Sequence, residues 1–115
     1  MEEWQLDFEW LKVRHYLKEK MKLEKLPDVN AVLLLIGVQE LGQPKSSFSK
    51  EEKQDLMHIA LCKLMSFDGI YEFEGLDDEG WPHWRLAKKI DKKGEVEQGV
   101  YIKSLCIRYF NDIID

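Results

Sequence analysis

Hydrophobic residues recur at helical spacing along the first quarter of the chain. This spacing predicts a helix over Leu6–Lys25 that ends before Pro27, because the residue preceding a proline is disfavoured in the α conformation. At 100° per residue, one narrow apolar stripe of this helix consists of Leu6, Trp10, Val13, Leu17 and Met21. A second apolar patch, made of Trp4, Phe8 and Leu11, lies on nearly the opposite side. The first helix is therefore predicted to carry two apolar faces.

Three further segments have helical patterns with recognisable ends. The second, Val29–Leu41, is apolar all round, with Asp28 as its N-cap and Gly42 after its end. A buried strand is the alternative for this segment, but the caps and the length favour a helix. A capping box formed by Ser49 and Glu52 predicts a helix over Lys50–Met65, and a wide apolar face predicts a last helix over Glu95–Ile114.

Alternating residues between Ile70 and Leu86 predict a β-hairpin at positions 70–86. The segment Asp77-Asp78-Glu79-Gly80 is a natural four-residue loop in which Gly80 can adopt a positive φ. This loop sets a register that pairs apolar with apolar residues on one face and acid with base on the other. The expected pairs are Phe73 with Trp84, Tyr71 with Leu86, Glu72 with Arg85 and Glu74 with His83.

The predicted fold class is mainly α (α+β): three helices, a β-hairpin and a C-terminal helix within a single domain over residues 1–115. This order of elements resembles that of winged-helix proteins, in which the second and third helices form a helix-turn-helix and the hairpin is the wing. No sequence motif accompanies the resemblance, so it implies an arrangement and does not identify a function.

Composition and charge narrow the class of partner. The formal net charge is −5, whereas a protein that neutralises phosphates usually carries the opposite charge. The acidic N-terminus has no apolar core of a signal peptide, and the apolar run from Ala31 to Val38 is too short to cross a bilayer. A cytoplasmic location is the expectation, with Cys62 and Cys106 reduced and buried.

DNA binding is the runner-up hypothesis, because the winged-helix order invites it. The start of the third helix, Lys50-Glu51-Glu52-Lys53-Gln54-Asp55, has a net negative charge, and the hairpin tip is acidic. Both elements would repel phosphates at the positions where a winged helix contacts DNA. Under this hypothesis the phosphate contacts would come from Lys88, Lys89, Lys92 and Lys93.

Enzymatic and metal-binding chemistry have little support in the sequence. His58 and Cys62 share a helix face at i, i+4 and are the candidates for a small metalloprotein or enzyme. A structural zinc needs two more ligands, and no Cys-x-x-Cys pairing supplies them. We therefore predict no catalytic residue, no metal and no cofactor, and interpret the pair as a surface histidine beside a half-buried cysteine.

Excess apolar surface is the remaining functional signal. The two-faced first helix and the all-round apolar second helix offer more apolar surface than a small monomer usually covers. The leading hypothesis is a non-enzymatic protein-interaction module that binds a protein partner or forms a homo-oligomer. Its predicted anchors are Trp4, Phe8 and Leu11, and its acidic tip, which selects a basic partner surface, comprises Asp77, Asp78 and Glu79 with the neighbouring Trp81.

Overall fold

The computed structural model describes residues 2–43, 47–89 and 95–114. Its elements are α1 (Glu3–Lys20), α2 (Val29–Leu41), α3 (Lys50–Ser66), β1 (Tyr71–Leu76), β2 (Pro82–Leu86) and α4 (Glu95–Ile114). The predicted order of three helices, a hairpin and a last helix is confirmed over the described residues. No helix in these ranges has both the length and the apolar character needed to cross a membrane.

The described residues group into two compact units. Unit 1 contains residues 2–32 and 95–114, and unit 2 contains residues 33–43 and 47–89. The boundary falls within α2, after its first turn. The single domain expected over residues 1–115 stays a prediction.

Unit 1 is built on the packing of α1 against α4. The inner face of α1 buries Leu6, Trp10, Val13 and Leu17, as predicted. From α4, the buried residues are Leu105, Cys106, Ile107 and Phe110. The rings of Tyr16 and Phe110 lie 6.5 Å apart, and Lys103 Nζ lies 5.9 Å from the centroid of the Trp10 ring. Met21 and Ile113 are about half exposed, so the two predicted apolar faces are narrower than expected.

The end of α1 differs from the prediction. The helix stops at Lys20, and Lys22 adopts a left-handed φ of 55°. The amide of Leu23 donates to the carbonyl of Lys18, and that of Lys22 donates to Glu19, which is the hydrogen-bond pattern of a Schellman motif. This motif, rather than Pro27, ends the helix. Arg14 Nε then donates to the Pro27 carbonyl at 2.7 Å and ties the following segment to α1.

The strained conformation of Lys22 leads to a stability prediction. We expect Lys22→Gly to raise the free energy of unfolding by about 1 kcal/mol, because glycine adopts positive φ without the Cβ clash. Lys20→Gly, inside the last helical turn, should instead lower it by about 1 kcal/mol. Urea titration of both variants checks the pair, and a destabilised Lys22→Gly protein would contradict the assigned motif.

Unit 2 packs the hairpin against α3. Leu41, Leu56 and Ile59 form a buried cluster on which Leu34, Val38, Phe48 and Trp81 also pack.

The predicted ends of α2 and α3 are present: Asp28 Oδ1 accepts from the amide of Ala31 at 2.9 Å, and both hydrogen bonds of the Ser49–Glu52 capping box form. Gly42 follows α2 with a positive φ of 68°. The alternative of a strand over Val29–Leu41 is therefore wrong.

The hairpin register is confirmed for three of the four predicted pairs. Tyr71 pairs with Leu86, Glu72 with Arg85 and Phe73 with Trp84. The predicted pairing of Glu74 with His83 is wrong: the register shifts between Phe73 and Gly75, and Gly75 faces His83. Gly75 has a φ of 116°, which a side chain disfavours, so the irregularity forms where the chain has a glycine.

Candidate functional site

The outer face of α1 carries an exposed apolar stripe, which we call the α1 stripe. It consists of Trp4, Phe8 and Leu11, whose side chains are 69%, 62% and 42% exposed. These residues follow one another at i, i+4 and i+7, so they lie within about 60° of the helix circumference. The stripe has the position that the sequence predicted, opposite the buried face of the same helix.

Charged residues of one sign occupy each end of α1. Residues 2–9 contain four acids, Glu2, Glu3, Asp7 and Glu9, and no base. Residues 12–22 contain five bases, Lys12, Arg14, Lys18, Lys20 and Lys22, and one acid. This distribution complements the helix macrodipole. It also makes the surface around the stripe negative at the N-terminal end of α1 and positive at the C-terminal end.

A groove in unit 2 lies between the first turns of α3 and the loop end of the hairpin. Its volume is about 450 Å³, within the range of ligand sites in proteins. From α3 it is lined by Glu52, Asp55, His58 and Ile59, and from the hairpin by Asp77, Glu79, Trp81, Pro82, His83 and Trp84. Four carboxylates, two imidazoles and two indoles therefore surround one concave surface, which we call the acidic groove.

The hairpin loop is organised by the carboxylate of Asp77. Its Oδ1 accepts from the amides of Glu79 at 2.9 Å and Trp81 at 3.0 Å, and its Oδ2 lies 2.9 Å from His83 Nε2. The hydrogen bond from His83, and next the one from the Trp81 amide, lower the pKa of Asp77 below its ordinary value. These bonds close a loop of five residues, Asp77–Trp81, where the sequence predicted four.

A hydrogen bond also connects this loop with the end of α2. Gln43 Nε2 donates to the carbonyl of Glu79 at 2.7 Å, and a Cβ placed on Gly80 would lie 2.8 Å from the same nitrogen. Gly80 has the predicted positive φ, at 84°. The hairpin wall of the acidic groove is therefore held by Gln43, a residue that does not line the groove.

The predicted acidic tip divides into residues with different roles. The carboxylate of Asp77 accepts hydrogen bonds from amides of the loop, whereas the side chains of Asp78 and Glu79 are exposed. Trp81 is half-buried because it packs on the cluster of Leu41, Leu56 and Ile59, so it lines the groove and supports the core at once. Four lining residues were not predicted from the sequence, since the groove exists only where α3 and the hairpin meet: Glu52, Asp55, His83 and Trp84.

The apolar face of the hairpin is another exposed surface. Phe73, Leu76 and Leu86 are each more than half exposed. The rings of Phe73 and Trp84 lie 5.3 Å apart. The indole nitrogen of Trp84 is buried without a hydrogen-bond partner among the described residues, which costs about 1–3 kcal/mol.

His58 and Cys62 are adjacent, as their spacing predicted. Cys62 Sγ lies 3.5 Å from His58 Nε2. The histidine is exposed, as predicted, but the cysteine is fully buried and not half-buried, because it faces the core side of α3. Burial raises the pKa of the Cys62 thiol to about 11, so the thiol is protonated near neutral pH and is a poor nucleophile and metal ligand. Within the described ranges, no group of three or more His, Cys, Asp or Glu side chains could hold a metal ion.

The lysines assigned to DNA contacts fall partly outside the described residues. Lys88 and Lys89 are exposed, and Lys92 and Lys93 lie outside the described ranges. The first two turns of α3, which would read bases in a winged helix, contribute Glu52 and Asp55 to the acidic groove instead.

Comparison of the chain with family models, with curated proteins and with solved structures found no match.

Proposed function

We propose that this chain is a non-enzymatic protein-interaction module that binds an arginine-bearing segment of a partner protein in the acidic groove. The observation that carries the proposal is the combination of two indoles and four carboxylates around one cavity of about 450 Å³. An arginine guanidinium stacks on aromatic rings and donates two parallel hydrogen bonds to a carboxylate, so it uses both kinds of lining group. Lysine offers the charge without the planar stacking surface.

The charges of the groove support a cationic occupant. Asp55 is exposed, and Glu52, although its Oε1 accepts from the Ser49 amide, still contributes negative charge at the same rim. His83 offsets only the charge of Asp77, with which it forms an ion pair when it is protonated. The groove is therefore net negative near neutral pH, which attracts basic segments and repels phosphates.

Shape also favours a side chain over a flat protein surface. Ile59 is 5% exposed and lies at the groove, while Trp81 rests on the buried cluster beneath it. A guanidinium in this position would have an apolar floor and a charged rim. Because one cation–π contact contributes about 0.5–2 kcal/mol, we expect a single arginine to bind weakly and a segment with neighbouring contacts to bind in the micromolar range.

Among the residues that the structure describes, no observation favours the DNA-binding alternative over this one. The acidic groove includes the first two turns of α3 and the loop end of the hairpin, the two elements that a winged helix would apply to DNA. A duplex titration at low salt is the corresponding check. Tight duplex binding that weakens on charge reversal of Lys88 and Lys89 would replace the present proposal with the alternative.

The test compares two short glycine–serine peptides that differ only in a central pair of residues, arginine or its uncharged isostere citrulline. We expect the arginine peptide to shift the NMR signals of Trp81, Trp84 and Ile59, with an affinity about tenfold above that of the citrulline peptide. Added salt should weaken the binding, because exposed charges are screened.

A matched pair of variants localises the binding. Asp55→Asn removes an exposed carboxylate that lines the groove, and Asp78→Asn removes an exposed carboxylate that does not line it. We expect Asp55→Asn to weaken arginine-peptide binding by about threefold to fivefold and Asp78→Asn by less than about twofold. Equal effects of the two variants, or shifts spread over other surfaces, would contradict the proposal.

A further inference from the structure

We propose that the α1 stripe is the contact between two copies of this chain, paired in antiparallel orientation about a two-fold axis near Leu11. This inference does not depend on the acidic groove, because it concerns residues of unit 1 alone. The charges beside the stripe specify both the occupant and its direction.

The exposed face of α1 has a heptad-like spacing that continues past the stripe. Trp4, Phe8 and Leu11 are followed at the same alternation of four and three residues by His15 and Lys18. The apolar part of this face therefore occupies the N-terminal half of the helix, and its polar continuation occupies the C-terminal half. Two copies in antiparallel orientation would place Trp4 of each over the aliphatic stem of Lys18 of the other.

Four charged residues lie together on one flank of the stripe, which we call the charged flank. They are Glu3, Asp7, Arg14 and Lys18, and at 100° per residue they lie within about 60° of the circumference. Along the helix axis their order is acid, acid, base, base. Arg14 also donates from Nε to the Pro27 carbonyl, which orients its guanidinium.

The order of these charges is self-complementary only in antiparallel pairing. In an antiparallel helix pair, residues on the same flank of the two helices meet each other. A two-fold axis at Leu11 brings Glu3 within one residue, about 1.5 Å along the helix axis, of the level of Lys18 of the copy, and Asp7 equally close to the level of Arg14 of the copy. The same axis brings the two Leu11 side chains beside each other. Parallel pairing would instead bring the acidic ends of the two helices together.

The exposed area is consistent with a weak but specific dimer. From the usual sizes of these side chains and their exposed fractions, the stripe offers about 350 Å² of apolar surface in each copy. With the charged flank, the buried total approaches the lower end of specific interfaces, about 1,200 Å². We therefore expect a dissociation constant in the micromolar range.

The first test measures mass against concentration by sedimentation equilibrium at low salt. The wild type should be dimeric at about 100 µM and dissociate on dilution, and Phe8→Glu should raise the dissociation constant by at least about thirtyfold. Val100→Glu is the matched control, because it places an acid at an exposed apolar position, 47% exposed, that lies on α4 and not on α1. A wild type that is monomeric at this concentration would overturn the proposal, as would equal effects of the two variants.

A charge-reversal cycle tests the orientation. Glu3→Lys alone and Lys18→Glu alone should each raise the dissociation constant by about threefold to tenfold, because each puts like charges opposite one another twice in the dimer. Combining both changes in one chain should restore the wild-type value within about twofold, since position 3 again faces an opposite charge at position 18. Additive weakening in the double variant would overturn the antiparallel arrangement, and circular dichroism confirms that each variant is folded.

Discussion

Replacement of Gly37 by alanine is expected to destabilise unit 2 strongly, because among the described glycines it is the one whose added Cβ would meet backbone atoms. A Cβ at this position of α2 would lie 2.1 Å from the carbonyl oxygen of Leu56 and 2.6 Å from its carbonyl carbon. These atoms belong to the backbone of α3, so no side-chain rotation can relieve the clash. The two helices would have to separate at a point where Leu56 is fully buried.

The expected cost follows from overpacking together with lost contacts around Leu56. Overpacking costs about 1–3 kcal/mol, and partial loss of the packing of a core leucine adds about 2 kcal/mol. A loss of about 3–5 kcal/mol is a large part of the stability of a small protein. Urea titration followed by tryptophan fluorescence should show a much earlier unfolding midpoint, or no folded baseline.

Gly99→Ala is the matched control for this variant. Gly99 lies in α4, and a Cβ placed on it meets nothing within 4 Å. Alanine has the higher helix propensity, so this change should raise the free energy of unfolding by about 0.5–1 kcal/mol. A Gly37→Ala protein as stable as the wild type would show that α2 and α3 do not approach as closely as described.

The second large effect concerns alkaline pH. Cys62 and Cys106 are both 0% exposed, and burial raises the pKa of Cys62 to about 11 and that of Cys106 to about 12, from an ordinary value of 9.0. Their contribution to stability is fully present below pH 9.0. As the pH rises further, the thiols ionise in the unfolded chain but not in the folded protein, so stability falls until the folded pKa values are reached.

The two thiols together should lower the free energy of unfolding by an amount on the order of 5 kcal/mol between pH 9 and pH 11. The measurement is the free energy of unfolding in urea at a series of pH values from 7 to 11. Lysine and tyrosine side chains also titrate in this range, so the slope is compared with that of a Cys62→Ala/Cys106→Ala variant. Equal slopes in the two proteins would show that the thiols are accessible to water.

The local structure of α2, α3 and the hairpin could be predicted well because its signals are short-range. A side chain that caps its own helix acts over three residues, so the roles of Asp28 and of the Ser49–Glu52 box were evident from spacing. Cross-strand pairing of Phe73 with Trp84 followed equally from alternation. The predicted pairing is wrong only beyond Phe73. There Asp77 accepts hydrogen bonds from two amides of its own loop, and the loop has five residues.

The end of α1 shows a different limit of prediction. A Schellman motif usually has glycine in the left-handed position, and here that position is Lys22. No glycine or asparagine marks the end of α1 in the sequence, so the helix was predicted to continue to the residues before Pro27. Gly37 is a related case. The sequence does not explain why α2 has a glycine in its interior, and the reason becomes clear only when the backbone of α3 lies against it.

The sequence alone was sufficient to identify the α1 stripe, because helical periodicity assigns each residue to a face without reference to the rest of the chain. The order of acids and bases beside it follows from the same periodicity, although it was not predicted. Only the tertiary structure could assemble the acidic groove. Asp55 and His83 are separated by almost thirty positions, and nothing local brings them to one surface. They meet because the apolar residues of α3 and the hairpin pack into one core, and that packing decides which polar groups become neighbours.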